Sequence, residues 1–411
     1  MNLALRTGTL LCALGVTLGS QSPPSSAPSG SLRVYLVTVG EGAFLWEKFG
    51  HNALWFVDSA AGVDVAYTWG TFDFKQPGFV ARFLTGDTKY WVEGYPGRLL
   101  LDFFITRSDR SVDVQRLNLT PAQARKALDY ALWNARDENK YYRYDYFRDN
   151  CSTRLRDVID LATDGALKRA TSTTIGARTY RAEAVRLMDD MKLAQLGIAI
   201  ALGPRADAPL SVWDEMFIPM RLRDALRDVR VAGAGAGETS LPLVADERVE
   251  YTTISNVERP DAPSRGLILL LIGLVIGADL LVLGWLGERL PRMEIAFRVE
   301  ATVWAFATGL LGLVILLAWA ATRHVFWAAN ANLFLLNPLA LWLALLAPAR
   351  RWARPAAVAS SIVALLGAVA LVLAGLSMGQ DNLAIIGLVL PGNFAVAFGL
   401  WRRASRAARE M

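Results

Sequence analysis

The sequence predicts an α+β domain with an antiparallel sheet, followed by an all-α membrane domain with five spans. A chain of 411 residues exceeds the usual size of a single core, so two units of different character are expected. The first 265 residues are rich in Asp, Glu, Lys and Arg, whereas residues 266–401 form apolar blocks separated by short, mostly basic connectors. In the first part, some segments have the alternating apolar and polar pattern of strands and others have the periodicity of helices, which indicates the α+β class.

The N-terminal segment has the features of an export signal. Residues 1–20 carry one Arg, a short apolar core and small residues near their end, which predicts a signal peptide or an N-terminal anchor. The Pro/Ser-rich residues 21–30 form a linker. Cys12 lies inside the apolar core, so Cys151 is left without a cysteine partner in an oxidising compartment, and we expect no disulfide.

The strands and helices of the first unit follow from local patterns. Alternating, β-branched and aromatic segments predict strands at 31–39, 51–58, 63–74 and 110–118. Thr120 and Pro121 begin a helix that runs to about 137, and further helices are predicted at Cys151 and over 180–196. These elements define a first domain at 31–230, a linker and return segment at 231–265, the membrane domain at 266–401 and a basic tail at 402–411.

The apolar blocks predict both the spans and their direction. The blocks 267–287, 301–321, 331–348, 356–377 and 383–401 approach the roughly 20 residues that a spanning helix needs. Arginines are concentrated in the connectors 288–300 and 349–355 and in the tail, whereas 322–330 holds only Arg323 and 378–382 holds none. Because cytoplasmic loops are enriched in Lys and Arg, we expect the tail in the cytoplasm and the first unit outside it. The net charge of +5 therefore reflects topology and predicts no nucleic-acid partner.

Cys151 lies at a predicted helix start. Apolar positions 155, 158, 159 and 162 follow the spacing of one helix face, Gly165 ends the helix, and Asp149 or Asn150 is the expected N-cap. The positive end of a helix stabilises an anion, which predicts a thiolate nucleophile beside amides that can hold a tetrahedral oxyanion. The alternative is that Cys151 is an inert, buried apolar residue.

His51 is the histidine that could activate this thiol. It stands in "EKFGHNALWF" at the start of a predicted strand, and the only other histidine is His324. A nearby imidazole can take a thiol proton and later protonate a leaving group, although His51 could equally be an ordinary core or surface residue. The sequence contains no HExxH metal motif, P-loop or dinucleotide fingerprint, so we expect neither a metal nor a cofactor.

Four segments carry a family resemblance: "FGHNALWF", "YTWGTFDFKQPGFVARFLTG", "YFRDNCSTRLRD" and "GPRADAPLSVWDEMFIP". Together they resemble the DUF4105 family, whose soluble part is the Lnb N-terminal periplasmic domain. The resemblance implies a permuted papain-like (NlpC/P60-like) fold, in which the antiparallel sheet packs on the helix that bears the cysteine. It implies Cys151 as the nucleophile and His51 as the general base and acid. Supporting or orienting residues would be Asn52, Asp73, Asn150 and Arg154.

The resemblance also implies an activity and its partners. The protein would be an inner-membrane lipoprotein N-acyltransferase that moves a fatty acyl group from a phospholipid donor, through a Cys151 thioester, to the α-amine of a diacylglyceryl lipoprotein. The alternatives are a cell-wall peptidase or amidase of NlpC/P60 type, a phospholipase or lipid acyltransferase with another acceptor, and a non-enzymatic membrane scaffold. Four further polar residues in or beside the membrane segments are candidates for shaping the site: His324, Asn330, Asn332 and Asp279.

Overall fold

A computed structural model of the protein describes residues 31–232, 240–261, 264–375 and 379–409. The predicted signal peptide or anchor at 1–20, the linker at 21–30, and most of the Gly/Ala linker lie outside the described residues. The chain forms two compact units. Among the described residues, the first holds the chain up to Asp190 together with Pro209–Pro260, and the second holds Met191–Ala208 and the chain from Asp261 onward.

The first unit is built on a seven-stranded antiparallel sheet. In chain order the strands of this unit, two of which lie outside the sheet, are β1 Arg33–Val39, β2 His51–Asp58, β3 Val63–Thr71, β4 Lys89–Pro96, β5 Val112–Leu117, β6 Tyr141–Arg143, β7 Arg230–Val231, β8 Leu241–Pro242 and β9 Val244–Tyr251. The sheet order is β6-β4-β3-β2-β1-β5-β9, and β7 pairs with β8 separately. This arrangement confirms the α+β class and the antiparallel sheet.

Eight α-helices accompany the sheet in the described part of this unit. They are α1 Phe79–Thr85, α2 Gly97–Asp102, α3 Pro121–Asn134, α4 Cys151–Ala162, α5 Ala166–Thr171, α6 Tyr180–Leu187, α8 Val212–Glu215 and α9 Pro219–Asp228. One face of the sheet packs on α3 and α4, where Leu155 and Ile159 join the same core as Leu54. The other face packs on α2 and the turn after it, through Leu100 and Phe104. The packing of α4 fixes its N-terminus beside the sheet.

The second unit is helical and contains four helices long and apolar enough to cross a membrane in the described residues. They are α10 Gly266–Leu286, α11 Pro291–Ala321, α13 Ala353–Gly375 and α14 Leu383–Arg409. The predicted span 331–348 is instead a 3-10 turn, Ala331–Phe334, followed by α12, Leu339–Leu346. Eight helical residues rise only about 12 Å, and Pro338 before them has no N–H to extend the helix backward. Five spans are therefore not confirmed.

The arginine-rich segments meet at one end of the second unit. Arg402 pairs with Glu288, and Arg406 donates to the Glu288 carbonyl at 3.0 Å. Arg403 donates to the carbonyl of Ala347, and Arg298 to that of Pro348. The basic connectors and the tail thus lie on the same side of this helix bundle, as the charge pattern predicted.

The arginine-poor connectors meet at the opposite end of the bundle, where they hold a further helix. This helix, α7 Lys192–Ala201, comes from the middle of the predicted soluble domain. Asn330 donates to the carbonyls of Ile200 and Ala201, each at 2.9 Å, and Asn332 donates to Ile200 at 2.9 Å. These amides satisfy carbonyls that a helix C-terminus leaves without partners. The segment 191–208 therefore packs with the membrane unit.

The domain limits consequently differ from the sequence-based limits of 31–230 and 231–265. Strand β9 pairs with β5 from Val112 to Leu117 and completes one edge of the sheet, so the first unit continues to Pro260. Conversely, residues 191–208 leave that unit and join the second. Neither of these two differences in domain limits has a local sequence signal, because both depend on contacts between segments far apart in the chain.

Candidate functional site

Cys151 is the first residue of helix α4, and Asn150 is its N-cap. The Asn150 side chain accepts from the backbone N–H groups of Ser152 at 3.0 Å and Thr153 at 2.9 Å, and it donates to the carbonyl of Phe217 at 2.9 Å. Asn150 therefore both begins the helix and ties its start to the segment before α9. Of the two N-cap candidates, the structure selects Asn150.

The sulfur of Cys151 lies against the beginning of β2. The backbone N–H groups of Asn52, Ser152 and Cys151 lie near it and lower the pKa of its thiol. Gly70, with φ of +92°, allows this approach, because a Cβ at that position would lie 3.3 Å from the Cys151 Cβ. Three backbone donors thus converge where a thiolate or a tetrahedral oxyanion would carry its charge.

His51 precedes Asn52 and begins β2, so the imidazole and the sulfur sit at the same end of the sheet. Its Nε2 hydrogen bonds to Thr68 Oγ1 of the neighbouring strand β3, and its ring lies 5.9 Å from that of Phe104. The Thr68 hydroxyl can donate to the Trp69 carbonyl, 3.5 Å away, and accept from Nε2–H. We assign this tautomer, which leaves the lone pair on Nδ1 available as a base.

The protein environment keeps both groups neutral. Burial raises the pKa of the Cys151 thiol to about 11, although the three N–H groups and the Arg110 guanidinium act in the opposite direction. Burial and, second, Arg110 lower the pKa of the His51 imidazole to about 3. Burial therefore opposes the thiolate that the helix end was predicted to favour, because the loss of hydration outweighs the backbone N–H groups and Arg110.

Arg110 is a site residue that the sequence analysis missed. It is buried and donates through Nε and Nη2 to the Gly40 carbonyl at 2.9 and 2.7 Å. Its charge lowers the pKa of both His51 and Cys151, so it favours a neutral imidazole and an anionic sulfur together. An arginine at the start of a strand carries no local signal of such a role, since only the fold brings β5 to this end of the sheet.

Thr68 was also missed, whereas Asn52 and Asp73 were predicted to orient the imidazole. The buried Asn52 side chain donates to Thr38 Oγ1 at 3.0 Å. Asp73 accepts from the backbone of Lys75 at 2.8 Å and shapes its own turn. The contact with His51 comes instead from Thr68. The predicted hairpin could have indicated this contact, because it placed β3 beside β2, and Thr68 is a polar residue within β3.

Arg154 has a contact that supports the helix start. It pairs with Asp149, reaching Oδ2 at 2.7 Å, and its guanidinium lies 4.2 Å from the centre of the Tyr142 ring. These contacts hold the loop before α4 against β6. Arg154 thus contributes to the architecture around Cys151.

Tyrosines surround the sulfur on the sheet side. Burial raises the pKa values of Tyr90, Tyr142 and Tyr144, and a negative charge on Cys151 adds to each increase. The Tyr90 and Tyr144 rings stack with centroids 4.2 Å apart. The hydroxyls of these three tyrosines therefore stay protonated.

The four candidates of the second unit have structural contacts. Asn330 and Asn332 hold the end of α7, as described above. The His324 ring stacks on Trp327 with centroids 5.4 Å apart. Asp279 on α10 lies beside the Glu300 carboxyl on α11. In the described residues, no group of three or more His, Cys, Asp or Glu side chains is arranged to hold a metal ion.

Two comparisons with protein families match this architecture. Residues 24–186 match the family model of the Lnb N-terminal periplasmic domain, and residues 267–402 match that of the Lnb transmembrane domain. No curated protein and no solved structure matches the chain. The two family matches follow one another in the order of the two units. The chain therefore belongs to the Lnb family and is a membrane protein with a periplasmic domain.

Proposed function

We propose that the protein is a cysteine-dependent lipoprotein N-acyltransferase of the inner membrane. The observation that carries this proposal is the junction of α4 and β2, where Cys151 begins the helix and His51 begins the strand that packs beside it. A nucleophile, a base and oxyanion donors at one place are the components of acyl transfer. The permuted papain-like arrangement belongs to the same proposal, since the histidine strand precedes the cysteine helix in the chain and packs beside it.

The first half-reaction would transfer the acyl group to the enzyme. The neutral thiol loses its proton to His51 Nδ1 as the sulfur attacks an ester carbonyl of a phospholipid. The developing oxyanion is stabilised by the N–H groups at the start of α4 and by the positive charge of Arg110. The C–O bond then breaks, His51 returns the proton to the leaving oxygen, and a lysophospholipid departs. Cys151 retains the acyl group as a thioester.

The second half-reaction would deliver the acyl group to a lipoprotein. The unprotonated α-amine of a diacylglyceryl cysteine attacks the thioester carbonyl, and His51 takes a proton from the nitrogen. The C–S bond breaks, the amide forms, and the proton returns to the sulfur. Both halves use one base and one set of donors, so no additional group is needed.

We extend the proposal to topology. The arginine-rich end of the second unit would face the cytoplasm, which puts the C-terminus there and the first unit in the periplasm. The segment 331–348 would provide a fifth, broken crossing. Leu336 lies beside Gly312 in the middle of α11, and Pro348 contacts Arg298 near the start of α11, so this segment runs along much of that helix.

The test of the proposal is made in cells depleted of their own N-acylating enzyme. The protein is expressed there, and lipoprotein N-terminal peptides are weighed by mass spectrometry. We expect an added fatty acyl mass on the α-amine with the wild-type chain and with Cys12→Ala, and none with Cys151→Ser. An unmodified amine despite good expression of the wild-type chain would rule out this activity. Cleaved peptidoglycan peptides or a modified lipid in place of the lipoprotein would favour a peptidase or another acceptor.

A further inference from the structure

An exposed apolar surface lies on the first unit, formed by the turn before β2 and by the segment around α1. Its members are Leu45, Trp46, Phe74, Val80, Phe83 and Leu84, and we call it the apolar patch. Val80 is 67% and Leu84 is 63% exposed, which is unusual for aliphatic side chains spaced four residues apart on one helix face. Contiguous exposed apolar surface marks a site of interaction with a partner or a membrane.

The patch is continuous because its aromatic rings touch. The Trp46 ring lies 5.4 Å from that of Phe74, which in turn lies 5.2 Å from the ring of Phe79. Phe79 is the buried first residue of α1, and its contact with Phe74 connects that helix to Trp46 in the turn. The two segments therefore form one surface.

The same rings lead inward to the candidate nucleophile. Phe74 contacts Phe72 with centroids 4.9 Å apart, Phe72 contacts Tyr90 at 5.0 Å, and Tyr90 stacks on Tyr144. Gly70, two residues before Phe72, lies against Cys151, since a Cβ on Gly70 would be 3.3 Å from the Cys151 Cβ. A row of aromatic rings thus runs from the surface patch toward the strand that borders Cys151, and such a row suits a hydrocarbon chain better than a folded protein surface.

Charged residues of both signs lie around the patch. Lys75 and Lys89 are exposed on either side of α1, and Arg82 lies half-buried within it. Asp87 is exposed after α1, and Glu47 and Asp73 are half-buried beside Trp46 and Phe74. A charged rim around an apolar surface matches phospholipid headgroups above their acyl chains.

From these observations we propose that the apolar patch docks on a phospholipid bilayer and that the aromatic row guides one acyl chain toward Cys151. The chain already carries a membrane unit, so a bilayer is always within reach of the tethered first unit. Docking would stand without any chemistry at Cys151, whereas the guiding of an acyl chain rests on the proposed acyl transfer.

The docking is tested with a fluorescent label. The full-length protein carrying Cys12→Ala and Cys151→Ser receives one new cysteine, Leu84→Cys, which is labelled with the environment-sensitive dye NBD. The matched control is Ile175→Cys, an 81% exposed aliphatic position between α5 and α6, outside the patch. Both proteins are reconstituted into vesicles of phosphatidylglycerol and phosphatidylethanolamine, with or without spin-labelled lipid.

We expect NBD at position 84 to emit at shorter wavelength and to be quenched by the spin-labelled lipid, and NBD at 175 to show neither effect. Equal quenching at the two positions would overturn the docking. A blue shift at 84 that grows with protein density without lipid quenching would assign the patch to a second copy of the chain, and would overturn it as well. Because this background lacks Cys151, none of these outcomes depends on the proposed activity.

The guiding of the acyl chain has its own test in the wild-type cysteine background. Val80→Ser combined with Leu84→Ser removes two apolar side chains from the patch, and we expect acyl transfer in vesicles to fall by about tenfold or more. Alkylation of Cys151 by iodoacetamide should stay unchanged, which shows that the fold is intact, and Ile175→Ser should have full activity. Full transfer by the double variant would exclude the guiding role. If the label docks but the wild-type chain forms no thioester, the proposed function fails and the docking stands.

Discussion

The pH dependence of Cys151 alkylation tests the electrostatics of the site directly. Burial raises the thiol pKa from its ordinary 9.0 to about 11. At pH 7 an ordinary thiol of this kind is about 1% ionised, whereas this one is ionised to about 0.01%, because a rise of one in the pKa lowers the ionised fraction about tenfold. Since the thiolate is the reactive form, alkylation of Cys151 at neutral pH should be about 100-fold slower than that of a free thiol.

The assay uses the Cys12→Ala protein in detergent, where Cys151 is the sole thiol. Iodoacetamide addition is followed by intact mass between pH 6 and pH 10. The rate should rise about tenfold per pH unit up to pH 10, and unfolding the chain should restore the ordinary profile. His51→Ala should leave the profile nearly unchanged, because a neutral imidazole supplies no charge. Fast alkylation that is constant around pH 7 would mean a thiolate paired with an imidazolium, and would refute the view that burial dominates.

Three further predictions concern neighbouring residues. Thr68→Val removes the hydrogen bond to His51 Nε2 and should lower kcat for acyl transfer about tenfold at constant KM, with recovery in Thr68→Ser; a change in KM alone would argue against a positioning role. Gly70→Ala should destabilise the fold by roughly 1–2 kcal/mol and slow thioester formation, because the new Cβ has a positive φ and also contacts Cys151. The control Gly62→Ala has a φ of +66° but open space around it, so it should leave thioester formation intact. Burial raises the pKa of Glu41 from 4.5 to about 7, so its contribution to stability is present below pH 4.5 and is lost as the pH rises through 7. Wild type should therefore be about 1–2 kcal/mol less stable relative to Glu41→Gln at pH 8 than at pH 5, as measured by denaturant unfolding, and an equal difference at both pH values would contradict this.

Local chemistry was enough to predict the elements that hold the candidate site. The cap at Asn150 and the apolar face of α4 both depend on about a dozen consecutive residues, so the helix start at Cys151 was predicted correctly. The hairpin of β2 and β3 and the helix that begins at Pro121 were predicted for the same reason. Four of the apolar blocks are long helices, since a span is a property of a continuous stretch of sequence.

What the sequence by itself determined, then, is the elements that hold the candidate site, the order of the two units and the grouping of arginines at one end of the bundle. The tertiary structure alone decided that Thr68 contacts His51, that Arg110 reaches both reactive side chains and that the thiol stays protonated. It also decided that residues 331–348 break at Pro338 and that 191–208 leave the first unit. The physical reason is distance along the chain: caps and periodicity act over a few residues, whereas desolvation and charge coupling depend on every segment that folds around a group.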